Sequence, residues 1–114
     1  MPFLRIKEKV LDKAYELSVA FVSPQKIREL NKRYRKQNRP TDILSFGLSK
    51  NSGELYLCMQ EVTKKSKLFG MTVPGYLGYL FIHGCLHLEG MDHGRTMDTL
   101  ERKFCRALRL PSPF

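Results

Sequence analysis

The chain has 114 residues, enough for one modest core and too few to divide, so a single domain over residues 1–114 is expected. A hydrophobic content of 42% beside 27% charged residues excludes disordered and fibrous classes. A formal charge of +9 and a pI near 9.7 favour anionic partners such as RNA, DNA or an acidic membrane surface.

Arg5, Lys7, Glu8 and Lys9 interrupt the N-terminus where a signal peptide needs an apolar run, and no later segment reaches transmembrane length. Cys58, Cys85 and Cys105 lack paired metal-finger spacing. A cytoplasmic protein with free thiols and no membrane segment is the expectation.

Phe3, Ile6, Val10, Leu11 and Ala14 recur at helical spacing and predict a first amphipathic helix over 3–14. Residues 15–22, YELSVAFV, then alternate, and the second face is also partly apolar, which predicts an inner strand of a sheet covered on both sides. Ser23 and Pro24 read as N-cap and first residue of a second helix ending near Lys36, with Ile27, Leu30, Asn31 and Tyr34 as its stripe. Arg28, Lys32, Arg33, Arg35, Lys36 and Arg39 crowd this span, in which Glu29 is the sole acid.

After the break at Pro40, TDILSF predicts a strand, Asn51 to Gly53 a turn, and GELYLC a further short strand. Residues 60–69 form a cationic helical stretch stopped by Gly70. Thr72, Val73 and Pro74 open the next helix, apolar around most of its circumference through Tyr76, Leu77, Tyr79, Leu80, Phe81, Ile82 and Leu86, hence central and buried. A last helix is predicted over 96–108. The fold class is α+β: a small mixed β-sheet packed with helices, the buried central helix carrying the candidate metal ligands.

All three histidines fall in HGCLHLEGMDH, residues 83–93. His83 and His87 lie four apart on one helical face, so both imidazoles can reach one metal. Gly90 can take the left-handed conformation that ends the helix, and His93 can then close a third coordination position. Three nitrogen ligands with an open position suit one Zn²⁺ per chain, although another divalent transition metal would also fit. Such a site lowers the pKa of a bound water and makes hydrolysis the natural reaction class.

The spacing is that of metzincin proteases, but Gly84 stands where their general base, a Glu, is required. Asp92 and Glu89 are the nearest acids, suited to orienting an imidazole or shuttling a proton. Cys85 points to another helical face and does not suit a fourth ligand position.

HGCLHLEGMDH closely resembles the histidine signature of the YbeY family of bacterial metal-dependent endoribonucleases, with Met91 in place of the usual aromatic. LNKRYRKQNRPTDILSF, residues 30–46, resembles the family's second signature. GELYLC and MDTLE resemble its short strand and last helix. Against the family pattern, the usual N-terminal strand is missing and the loop between His93 and Met97 is abbreviated.

The resemblance implies a zinc-dependent, single-strand-specific endoribonuclease. It further implies a role in ribosomal RNA maturation, including the 3′ end of the small-subunit 16S species, and in ribosome quality control. Its partners would be single-stranded RNA, ribosomal RNA and ribosomal particles. The zinc ligands carry over to His83, His87 and His93, and the family's catalytically important arginine to Arg35. A guanidinium near the metal suits two-pronged phosphate binding. Two other readings share these residues: a non-catalytic RNA-binding ribosome-assembly factor with a structural zinc, and a metzincin-like peptidase.

Overall fold

The computed structural model describes residues 3–91 and 94–111. Its helices are α1 (Phe3–Val10), α2 (Pro24–Arg35), α3 (Met59–Leu68), α4 (Val73–Leu88) and α5 (Arg95–Ala107), and its strands are β1 (Glu16–Phe21), β2 (Ile43–Ser49) and β3 (Ser52–Leu57). The strands form one mixed sheet in the order β1-β3-β2, with β1 parallel and β2 antiparallel to β3. This is the α+β arrangement expected, with α4 at its centre.

α1 ends four residues before the expected Ala14. Asp12 takes a positive φ, and its carboxylate accepts hydrogen bonds from the Ala14 and Tyr15 amides at 2.7 and 3.0 Å. This local side-chain turn competes with the helix and feeds the chain into β1.

β1 is an edge strand of the described sheet, not the inner strand its composition suggests. The cause is that helices lie on both faces. Leu17 and Val19 pack toward Phe3 of α1 and Phe81 of α4, whereas Val22 joins Ile27 of α2 on the opposite face. Two-sided apolar alternation reports cover above and below a strand; it carries no information about hydrogen bonding at its edges.

α2 begins as expected, with the Ser23 hydroxyl accepting from the Lys26 amide at 3.1 Å and Pro24 in the first turn. Lys36 caps it in the left-handed region. Of its predicted stripe, Ile27 and Asn31 are buried, but Tyr34 is 55% exposed. Buried Asn31 donates to the Arg39 carbonyl at 2.9 Å and folds the loop back over the helix end.

β2 runs three residues past the predicted Phe46, so the hairpin turn falls at Lys50–Asn51. α4 buries every residue from Gly75 to Leu86 except His83. Its core partners include Ile6, Leu55, Leu57, Val62, Met97 and Cys105, drawn from α1, β3, α3 and α5. Among the described residues no helix is long and apolar enough to cross a membrane.

Candidate metal and nucleic-acid site

Two local features of α4 fix the histidine pair. Gly84 sits against the sheet, where a Cβ would come within 2.8 Å of both Ile43 Cδ1 and Leu55 Cδ2. The missing side chain lets α4 approach β2 and β3, and the same contact leaves no space for the glutamate that a metzincin needs after its first histidine. At the C-terminus, Gly90 has φ +94° as anticipated. The Gly90 amide bonds to the His87 carbonyl and the Met91 amide to the Leu86 carbonyl, a Schellman closure.

That closure has a chemical result. It turns the Met91 carbonyl to accept from His87 Nδ1 at 2.9 Å. Since a carbonyl only accepts, His87 carries its proton on Nδ1 and its lone pair on Nε2. His83 is held in the same sense by Glu101 of α5, whose Oε1 lies 2.5 Å from His83 Nδ1. The two Nε2 atoms then face each other at 3.1 Å.

With an acceptor beside each Nδ1, both Nε2 atoms are turned toward one point, the arrangement in which two imidazoles hold a single cation. The donor set therefore fits a metal of the kind that takes nitrogen ligands. Among the described residues, no third histidine, cysteine or carboxylate joins the pair to make a three-ligand cluster. His93 and Asp92 lie outside the described residues.

Glu101 is the site residue that sequence reading missed. It is 3% exposed, and its second oxygen accepts from the Tyr79 hydroxyl at 2.8 Å. Burial alone would raise its pKa. The hydrogen bonds from His83 and Tyr79, with the electrostatic influence of the two nearby imidazoles, outweigh burial and hold the carboxyl below its ordinary range. Tyr79 moves the other way, raised by burial and by this carboxylate.

The signal was a glutamate on the buried stripe of an amphipathic helix, with Met97 and Cys105 four residues to either side. Glu89, by contrast, is exposed at the end of α4. Cys85 is fully buried, and burial pushes its thiol up to about 12; its charged neighbours are Lys7 and Glu89.

The histidines open into a cleft of about 650 Å³ whose lining includes Arg35, Asp42, Ser45, His83, His87 and Met91. Arg35 reaches it from the last turn of α2. Its Nη2 donates to the Ser45 carbonyl on β2 at 2.6 Å, and its guanidinium lies over the Phe46 ring, 4.9 Å from the centroid. Asp42 enters from the start of β2, its carboxylate accepting from the Tyr76 hydroxyl at 2.7 Å. The segments 30–46 and 83–91, far apart in sequence, thus line one cavity.

The family model described as Endoribonuclease YbeY matches residues 3–108. The Endoribonuclease YbeY of Staphylococcus carnosus is 34% identical over 113 residues, which cover 89% of this chain and 73% of that relative. That of Latilactobacillus sakei is 31% identical over 105 residues, covering 75% and 66%. The solution structure of a Thermotoga maritima protein superposes with a TM-score of 0.63 at 32% identity, covering 92% of this chain and 77% of the other. The chain thus spans between 66% and 77% of the length of these proteins. With a family model spanning nearly the whole described fold, and relatives matching at about a third identity, this chain belongs to the endoribonuclease YbeY family.

Proposed function

We propose that this protein is a metal-dependent endoribonuclease that cleaves single-stranded RNA, with zinc as its metal and His83, His87 and His93 as ligands. The observation that carries the reading is the facing pair of Nε2 atoms at 3.1 Å, each imidazole oriented by an acceptor on its Nδ1. Family membership supplies the substrate class, and maturation of ribosomal RNA, including the 16S 3′ end, and ribosome quality control in the cytoplasm are the cellular roles we assign.

When bound, the metal would supply Lewis acidity to a water or a phosphate oxygen. The protein's own residues do the rest. Glu101 and the Met91 carbonyl keep both imidazoles in the ligating tautomer. Arg35, already anchored to Ser45, presents its remaining N–H groups to a phosphate and offsets the charge that develops at phosphorus. The exposed cations of α2 draw the RNA backbone to the cleft.

The peptidase alternative loses its general base to the Gly84 contact. The test measures metal content by plasma mass spectrometry on tag-free protein, together with cleavage of a labelled single-stranded RNA by wild type and His87→Ala. Near-stoichiometric zinc, with cleavage lost in the variant, supports the proposal. Stoichiometric zinc without cleavage by wild type would replace it with the assembly-factor reading.

A further inference from the structure

Beside the cleft, on the opposite face of β2, lies a group of side chains that metal chemistry does not use. Successive residues of a strand point to opposite faces. Ser45 turns toward α4, its hydroxyl 3.5 Å from the Gly84 carbonyl, whereas Phe46 turns toward α2. Arg35 passes around the β2 edge between the two. It reaches the Ser45 carbonyl, lies over the Phe46 ring and lines the histidine cleft.

Tyr34 stands next to it, 55% exposed, its ring packed edge-on to Phe46 at 5.3 Å and 65°. Phe46 in turn meets Tyr56 at 5.8 Å and 68°. The three rings buttress one another, so Tyr34 is held in place while much of its surface stays in water. The Arg33 guanidinium lies 5.8 Å from the Tyr34 centroid. Arg33 and its neighbours Lys32, Arg35 and Lys36 in the same segment are all exposed. The nearby acid, Glu54, accepts from the Tyr56 hydroxyl at 3.3 Å.

We propose that Tyr34 and Phe46, flanked by Arg33 and Arg35, form a stacking platform for a base of single-stranded RNA whose neighbouring phosphate sits at Arg35. The platform rests on the endoribonuclease reading and extends it, because it names what holds the strand as it leaves the cleft. A rigid exposed ring among cations is what a base with a π-face and an anionic backbone requires. It also demands a single strand, since a paired base keeps both faces within its own helix. Strand specificity then arises at the β2 edge and not at the metal.

The experiment compares binding of two labelled single-stranded oligoribonucleotides, one base-bearing and one abasic, by stopped-flow anisotropy within seconds of mixing, across a salt series. Wild type, Tyr34→Ala and Tyr34→Trp are compared, with thermal melting to verify folding. Tyr34→Ala is expected to weaken the base-bearing strand on the order of 10-fold, to leave the abasic strand unchanged and to keep the salt slope; Tyr34→Trp retains wild-type affinity. Equal binding of the base-bearing strand by wild type and Tyr34→Ala overturns the platform, as does equal loss for both strands. Either result leaves wild-type cleavage intact, whereas wild type that neither binds nor cuts RNA sinks the endoribonuclease reading itself.

Discussion

At the β1 edge, α4 presents Phe81 to Phe3, Leu17 and Val19 beside an apolar groove of about 300 Å³. Near the β2 edge, within the next two turns, the same helix presents Gly84, His83 and His87 to a cleft of about 650 Å³ lined by Arg35, Asp42 and Ser45. Both margins use aromatic rings, but to different ends. Phe3 and Phe81 sit 4.5 Å apart and consolidate the fold. Tyr34 stays accessible beside cations, with the partly buried Phe46 behind it. On the proposed reading one side of the molecule carries stability and the other chemistry, and substitutions can separate them.

The largest effect belongs to the apolar side. Phe81 is 1% exposed, and Phe81→Ala should cost about 3–5 kcal/mol of folding free energy. Urea unfolding of the metal-free protein reads this directly. A loss below about 1 kcal/mol would mean that α1 and β1 repack around the cavity, and the contrast between the two sides would weaken.

Arg35→Ala comes next and should act on turnover. Removing a donor aimed at developing charge costs on the order of 10²–10³ in kcat. Arg35→Lys restores only part, because an ammonium cannot hold Ser45 and a phosphate through one planar fork. Urea midpoints should barely move, Arg35 being exposed. A stability loss matching the loss of activity would instead assign Arg35 to the fold.

What the sequence disclosed follows the same division. Candidate residues close in sequence were legible: His83 and His87 share a helical face, and Gly90 predicted the turn after them. Arg35 was named only through family resemblance, since cationic runs on helices are commonly just solvated. Glu101 was hidden because its partner lies on another helix, and no local periodicity reports that α5 will lie against Tyr79 and His83. The edge position of β1 was hidden for a related reason: alternation encodes the burial of faces, while strand order is set by long-range pairing.

Glu101→Gln tests the missed residue. If His83 ligates a metal as proposed, loss of the carboxylate behind it should weaken metal binding about 10–100-fold, read by competition with a chromophoric chelator. The metal-free protein adds a pH signature. Because the Glu101 pKa is lowered on folding, its stabilisation is present above the ordinary carboxylate value of 4.5 and is lost as pH falls through the depressed one. The wild-type advantage over Glu101→Gln should therefore shrink on acidification below that value. An advantage independent of pH would mean that the carboxylate acts by shape alone.

The smallest effect returns to the β1 edge. Phe21 is 55% exposed and touches Phe3 only at a ring separation of 6.3 Å, so Phe21→Ser should alter stability by no more than about 0.5 kcal/mol and leave RNA cleavage unchanged. Tyr34 has the same fractional exposure. Exposure is therefore not the property that separates them; Tyr34 has guanidinium groups and a buttressing ring beside it, while Phe21 meets the apolar Phe3. If Phe21→Ser impaired RNA binding as Tyr34→Ala is expected to do, the strand would have to run over both edges of the sheet, and the assignment of chemistry to the β2 edge alone would fail.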